Sequence, residues 1–303
     1  MPSELQSKRT GVGLAFAIGA YGLWGFLPLY FTTLAPAGPI EIVAWRVVLS
    51  LAFCAILLTV MRGWQALAVI TRDRRTMLIM GAAGALILVN WLVYVFAALS
   101  GHVVEAALGY FTNPIVTVLL GVLVLRERLR PLQWVAIGLS AVAVLVLAIN
   151  YGQFPWIALA LAFSFGLYGF IKKQVGARVD AISGLTIETA WLAPIAAVVL
   201  VVLSLNGELV LGTQPAAHTA LLLSAGVITA VPLLLFAAAA RRLKLTHIGL
   251  TQFFAPVLQF VIGVYYFHEQ MPFARWLGFA LVWIALIILT VDLFRSSRAA
   301  RRA

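Results

Sequence analysis

Ten apolar runs separated by short polar gaps dominate this sequence: residues 11–34, 40–61, 76–99, 103–125, 132–149, 154–171, 181–205, 217–239, 245–267 and 273–294. A helix crossing the roughly 30 Å hydrocarbon core of a bilayer needs about 20 such residues. Inside lipid, only a helix or a closed barrel satisfies every backbone polar group. Each run therefore predicts one transmembrane α-helix. The longest gaps, 62–75 and 206–216, have no room for a soluble domain. Composition agrees: the chain is 63% hydrophobic and 10% charged, with a mean hydropathy of +1.05. A soluble domain carries about 25% charged residues. Ala35-Pro36-Ala37 resembles a signal-peptidase site, but the run before it exceeds the about 7–15 apolar residues of a signal peptide. An uncleaved first helix is expected.

The net charge of +11 raises the question of nucleic acid, but the distribution of the basic residues answers it. Lys8 and Arg9 precede the first run. Arg62, Arg72, Arg74 and Arg75 lie in the second gap, Arg126, Arg128 and Arg130 in the fourth, and Lys172, Lys173 and Arg178 in the sixth. Arg241, Arg242 and Lys244 lie in the eighth, and Arg295, Arg298, Arg301 and Arg302 follow the last run. These are 19 of the 21 basic residues, and the odd-numbered gaps hold none. Positive loops stay cytoplasmic, so the alternation predicts ten crossings with both termini inside a bacterial inner membrane. The lipid surface accounts for the charge, and no nucleic-acid partner is expected. Cys54 is the only cysteine, which leaves no internal disulfide and no cysteine metal site. No metal or cofactor is expected.

A shift of 142 residues lays Leu108 on Leu250, Phe111 on Phe253, Pro114 on Pro256, Gly121 on Gly263, Glu127 on Glu269 and Trp134 on Trp276. At a shift of 144, Leu23-Trp24-Gly25-Phe26 resembles Leu167-Tyr168-Gly169-Phe170. The fold class expected is thus an all-α polytopic membrane protein of ten helices in two five-helix repeats, residues 1–150 and 151–303. Five is odd, so the second copy enters the membrane from the opposite side. Inverted repeats place a solute site near the midplane between the halves and allow alternating access. They imply a secondary-active transporter of a small solute.

The polar residues within the runs suggest where that site lies. In the fourth run Tyr110, Pro114, Thr117 and Gly121 share one helical face, and Gln252, Pro256, Gln259 and Gly263 repeat the spacing in the ninth. A stripe of this kind is not expected to face lipid. Either it lines a cavity or it packs helices together, and its presence in both related helices favours the cavity. The first run adds Tyr21, Trp24 and Pro28, the third Asn90, Trp91 and Tyr94, the sixth Ser164 and Tyr168, and the eighth Thr229 and Pro232. Asn113 lies beside the fourth-run stripe. Pro28, Pro114, Pro232 and Pro256 are expected to break their helices and free backbone carbonyls. A largely aromatic pocket with few polar groups suits an organic solute.

Four ionisable groups stand inside or at the edge of the membrane: Arg46, Glu105, Glu188 and His247. The 142 shift maps Arg46 onto Glu188 and Glu105 onto His247. An unpaired charge there costs at least about 2.5–3.5 kcal/mol, so partners are required. Arg46 is expected to pair with Glu105 on the outer side and Glu188 with His247 on the inner side. Such pairs serve as gates, carry a coupling proton, or are static. Glu127 and Glu269 are expected to cap the helices that follow them, and Arg275 to snorkel to the interface.

With these residues in view, the chain resembles the RarD group of the EamA family, in the drug/metabolite transporter superfamily. The resemblance rests on Tyr21-Gly-Leu-Trp-Gly-Phe-Leu-Pro-Leu-Tyr30, on Arg46 in Trp-Arg-Val-Val-Leu-Ser, and on Asn90-Trp-Leu-Val-Tyr94. It rests further on Gly101-His-Val-Val-Glu-Ala-Ala-Leu-Gly-Tyr-Phe-Thr-Asn-Pro114, Gly184-Leu-Thr-Ile-Glu188-Thr and Pro232-Leu-Leu-Leu-Phe236. It implies ten helices, two EamA repeats, cytoplasmic termini and the transport of a metabolite or drug. The chain departs from the group at Trp45, often His, and at Phe96-Ala-Ala-Leu99, usually Trp-Ala-Val-Asn.

Other functional classes fare worse. No Gly-Lys dipeptide exists to form a phosphate-binding loop. Asp73, Asp180 and Asp292 sit at run ends or in gaps, which disfavours an intramembrane aspartyl protease. His102, His218, His247 and His268 are dispersed, and no Gly-x-Ser-x-Gly elbow is present. A non-transporting sensor or scaffold is the remaining alternative, and it would lack the solute cavity.

Overall fold

The computed structural model describes residues 2–125, 131–151, 154–175, 178–240, 243 and 251–299. Among these the ordered elements are all helical: α1 (Pro2–Thr32), α2 (Pro39–Val60), α3 (Trp64–Thr71), α4 (Arg74–Leu99), α5 (Val103–Leu125), α6 (Pro131–Tyr151), α7 (Trp156–Val175), α8 (Ala181–Leu205), α9 (Ala216–Leu223), α10 (Ala225–Ala240), α11 (Phe254–Val261) and α12 (Phe273–Ala299). Six spans are long and apolar enough to cross a membrane by themselves: Gly11–Thr32, Pro39–Val60, Arg74–Leu99, Ala181–Leu205, Ala216–Phe236 and Phe273–Asp292. Pro131–Leu147, Trp156–Lys172 and Phe254–Tyr266 are shorter apolar helices.

Helix boundaries follow local chemistry. Pro39 opens α2, where its missing N–H and fixed φ are an advantage. Asp73 caps α4, accepting from Arg75 N at 3.0 Å and from the Thr76 hydroxyl at 2.6 Å. Asp180 caps α8 through Ile182 N and Ser183 N, both at 3.1 Å. These side chains supply acceptors that the first turn otherwise lacks. The gap at 62–75 is more than a loop, since its Trp-Gln-Ala-Leu-Ala-Val-Ile-Thr stretch forms the two-turn helix α3.

The prolines depart from expectation. α1, α5 and α10 run on through Pro28, Pro114 and Pro232, so none of the three breaks its helix. Pro256 lies in the first turn of α11, where no intrahelical N–H bond is lost. The helical assignment continues through each of them, with neighbouring helices packed alongside. The eighth apolar run is interrupted instead at Ser224, between α9 and α10, without a proline. The end of α11 widens into a π-helical turn, Ile262–Tyr266.

The principal contacts run between α6 and α12, α2 and α8, α5 and α7, α4 and α7, α1 and α10, α2 and α10, α1 and α11, α4 and α8, and α5 and α11. The main core forms where α1, α2, α4, α5, α7, α8 and α10 meet, around Phe31, Ile42, Val47, Trp91, Tyr94, Val95 and Leu161. A second core joins α5, α6, α11 and α12 around Phe111, Phe260, Phe279 and Leu286. Two glycines that stand 142 residues apart allow close helix approaches. A Cβ on Gly84 would lie 3.2 Å from the Glu188 carbonyl oxygen on α8, and one on Gly226 would lie 2.5 Å from the Leu49 backbone on α2. Large apolar side chains such as Val60, Leu205 and Phe273 remain exposed on the outer surface, which suits a hydrocarbon solvent.

Candidate substrate pathway

Arg46 projects from α2 into the main core and is 5% exposed. Its Nε donates to the Thr229 hydroxyl on α10 at 2.8 Å. The faces of its guanidinium are covered by aromatic rings, with Trp91 centred 4.4 Å and Phe31 5.2 Å from Cζ. Arginine is suited to such sites because its plane stacks on rings while its edge keeps its donors. Among the described residues its NH1 has no hydrogen-bond partner, and the neighbouring Tyr94 hydroxyl on α4 also has none. The titratable side chains acting on Arg46 are Tyr30, Tyr94 and Tyr110, and none of them is a carboxylate.

From Phe31 a line of edge-to-face and tilted rings crosses the core. Phe31 meets Tyr94, Tyr94 meets Tyr110, Tyr110 meets Phe165 and Phe165 meets Tyr168, with successive centroids 6.0, 5.6, 5.8 and 5.9 Å apart. Asn90 fixes the middle of the line. Its Oδ1 accepts from the Tyr110 hydroxyl at 3.0 Å, and its Nδ2 donates to the Ser164 hydroxyl at 3.1 Å and the Leu161 carbonyl at 3.3 Å. One amide thus ties α4 to α5 and α7 and uses both ends of its dipole. At the far end Glu188, 1% exposed, accepts from Tyr168 at 3.2 Å and forms an ion pair with Lys172 at 2.8 Å.

A second cluster lies between α1, α10 and α11. Tyr21, Trp24 and Phe236 pack ring against ring. Gln259 donates to the Trp24 carbonyl at 3.1 Å, and its own Oε1 is buried without a hydrogen-bond partner among the described residues. Gln252 occupies the turn before α11 and is half-buried, and Asn113 is half-buried on α5 next to Gly166 of α7. His247 and the side chain of Thr117 lie outside the described residues.

Of the two expected charge pairs, the one between Arg46 and Glu105 needs correction, and the one between Glu188 and His247 falls on a residue outside the described ones. Arg46 does not meet Glu105. The Glu105 carboxylate faces the first N–H groups of α7 at Ile157 and Ala158, with the charges of His102 and Arg275 nearby. It lines a separate cavity of about 160 Å³ with His102, Trp156, Arg275 and Phe279. Glu188 is held by Lys172, which the charge pattern assigns to a cytoplasmic loop but which lies inside α7. The signal was present, because Tyr168 and Lys172 stand four residues apart on one face of a helix. Glu269 caps α5 rather than the helix that follows it, accepting from Val103 N and, at 3.0 Å, from Val104 N. Arg275 donates to the Gln270 carbonyl at 2.9 Å and lies 3.9 Å from Glu269. Glu41, not singled out from sequence, is 3% exposed and accepts from Val210 N and Leu211 N, which pins the loop after α8 to the start of α2.

The sequence profile of the EamA-like transporter family matches the chain twice, over residues 11–149 and 155–291. The chain belongs to this family. Protein RarD of Streptomyces exfoliatus is 47% identical over 97% of this chain and 92% of its own length. Protein RarD of Escherichia coli (strain K12) is 37% identical over 97% of this chain and 99% of its own. These matches place the chain in the RarD group that its motifs resemble. A solved crystal structure superposes with a TM-score of 0.56 at 20% identity, covering 92% of this chain and 97% of that one. It speaks for the fold alone. Family and apolar helices together make this a multi-pass bacterial membrane transporter, and they point away from an enzyme.

Proposed function

We propose that the protein is a secondary-active permease of a small organic solute. It works by alternating access between two inverted five-helix repeats, residues 1–150 and 151–303. The ten crossings are α1, α2, α4, α5, α6, α7, α8, α9 with α10, α11 and α12, and both termini are cytoplasmic. The helix packing supports this reading. Exchanging α1 with α7, α2 with α8, α4 with α10, α5 with α11 and α6 with α12 turns the set of principal contacts into itself. Gly84 and Gly226, 142 residues apart, make equivalent close approaches in the two halves. The family profile also matches in two consecutive segments.

The observation that carries the solute pathway is the aromatic line joining Arg46 to Glu188, two positions equivalent under the repeat. An aromatic wall with the Arg46 charge at one end holds an organic body and orients its polar group. Glu188, when released from Lys172, is the group placed to carry a coupling proton. The test is solute counterflow into proteoliposomes over a metabolite panel at several pH values, paired with thermal stability of the purified protein. A true ligand at 100 times its dissociation constant adds about 2.7 kcal/mol of stability, and the gain disappears in Tyr110→Ala. Glu188→Gln flattens the pH dependence. A panel in which no solute exchanges would remove the permease reading, and an unchanged pH profile in Glu188→Gln would remove the proton.

A further inference from the structure

We infer that the Arg46 end of the pathway is a carboxylate subsite, and that the solute is an organic acid whose carboxylate is bound by Arg46 and Tyr94 together. The inference rests on the permease reading and names its substrate class.

The two groups are unsatisfied in the same sense. Arg46 NH1 and the Tyr94 hydroxyl are both buried and, among the described residues, both lack a hydrogen-bond partner. The first is a donor without acceptor capacity, and the second is able to donate. Among the described residues no carboxylate is bonded to Arg46, and its electrostatic neighbours are Tyr30, Tyr94 and Tyr110. A buried guanidinium with one edge open is costly unless an anion completes it.

Geometry sets what that anion looks like. The guanidinium carbon lies over the Trp91 and Phe31 rings, and Thr229 occupies the Nε donor. NH1 is the donor left open. A carboxylate suits that opening, since one of its oxygens accepts from NH1 and the other from the Tyr94 hydroxyl. Tyr94 packs on Phe31 on one side and on Tyr110 on the other, so a carboxylate bonded to Tyr94 directs the rest of the molecule onto the ring line. The body is therefore apolar or aromatic. Glu188 is already bonded to Lys172 and Tyr168, so the structure offers no equivalent opening for a second charged group at the other end.

The decisive experiment compares acids with their neutral counterparts on the full chain. Phenylacetate, 3-phenylpropionate and indole-3-acetate are matched with the corresponding primary amides, with inorganic phosphate as an anion lacking an apolar body. Thermal shift in detergent reports binding, and counterflow in proteoliposomes reports transport. The acids are expected to stabilise the wild-type protein and to exchange, while amides and phosphate do neither. Arg46→Gln abolishes the acid effect. Tyr94→Phe keeps the cation and the ring and removes one donor, so it weakens acid binding by about tenfold and remains informative if Arg46→Gln fails to fold. Amides that stabilise and exchange as well as acids, equally in wild type and Tyr94→Phe, would overturn the carboxylate subsite while leaving the permease intact. Metabolites outside this set that exchange while none of the acids binds would also overturn it. No exchange of any solute would overturn the permease reading itself.

Discussion

The surroundings of Arg46 and Glu188 show one framework position used in two ways. The repeat makes the two residues equivalent, and each extends from the second helix of its half into the same core. Glu188 finds a cation and a hydroxyl within its own half, Lys172 and Tyr168 on α7. Arg46 finds aromatic faces and one hydroxyl from α10 of the other half, and keeps an open donor edge. A charge that the protein itself neutralises is part of the architecture. A charge left with open donors in a dry interior is suited to a partner from outside. Within the proposed repeat, the two equivalent positions divide these roles between them.

The largest effect expected from this contrast concerns stability. Lys172→Met leaves Glu188 buried and uncompensated, and should destabilise the protein by about 3 kcal/mol. Arg46→Met replaces a cation without a carboxylate by an apolar chain of similar length, and should change stability by no more than about 1 kcal/mol while abolishing transport. Thermal unfolding in detergent measures both. Equal losses in the two variants would mean that both residues are structural and would erase the distinction.

A smaller effect tests whether the halves are packed alike. A Cβ at Gly226 meets Leu49 backbone at 2.5 Å, and one at Gly84 meets the Glu188 carbonyl oxygen at 3.2 Å. Gly226→Ala forces α10 away from α2 and should cost about 1–3 kcal/mol. Gly84→Ala needs a shift of a few tenths of an ångström and should cost less. The opposite order would show that the second half is the more compliant one.

The smallest effect lies at the helix caps. Burial pushes the Asp180 carboxyl up, but the Ser183 hydroxyl, the N–H groups of Ser183 and Ile182 and its own N–H outweigh it and hold the group below its ordinary value. Depressed in the fold, it contributes stability that is fully present above the unfolded-state value and is lost as pH falls through the folded one. Asp180→Ala should cost about 1 kcal/mol near neutral pH and progressively less in acid. Asp73 plays the same part for α4 from a fully solvated position, so its variant should show the weaker pH dependence. Thermal melts from pH 7 down to pH 3 decide between the two. A constant difference across that range would mean that the Asp180 carboxylate does not act as a charged cap.

The sequence by itself determined the solvent and the helices. Apolar runs of membrane length predict helices, and Pro, Gly, Glu and Trp recurring in one register at a shift of 142 agree with the two matches of the family profile. It also brought forward most of the central side chains, because Asn90, Tyr94, Tyr110, Tyr168, Arg46 and Glu188 are polar or amphipathic where lipid demands otherwise. Only the tertiary structure decided who meets whom. A repeat shift equates positions but says nothing of contacts across helices, which is why Glu105 turned out to face the start of α7 and Glu188 to pair with Lys172. It also decided that helix packing carries Pro28, Pro114 and Pro232 without a break, and that Glu41 and Glu269 serve backbone N–H groups far away in sequence. Hydropathy is a property of each segment and can be read along the chain, whereas the satisfaction of a buried charge depends on whatever folds against it.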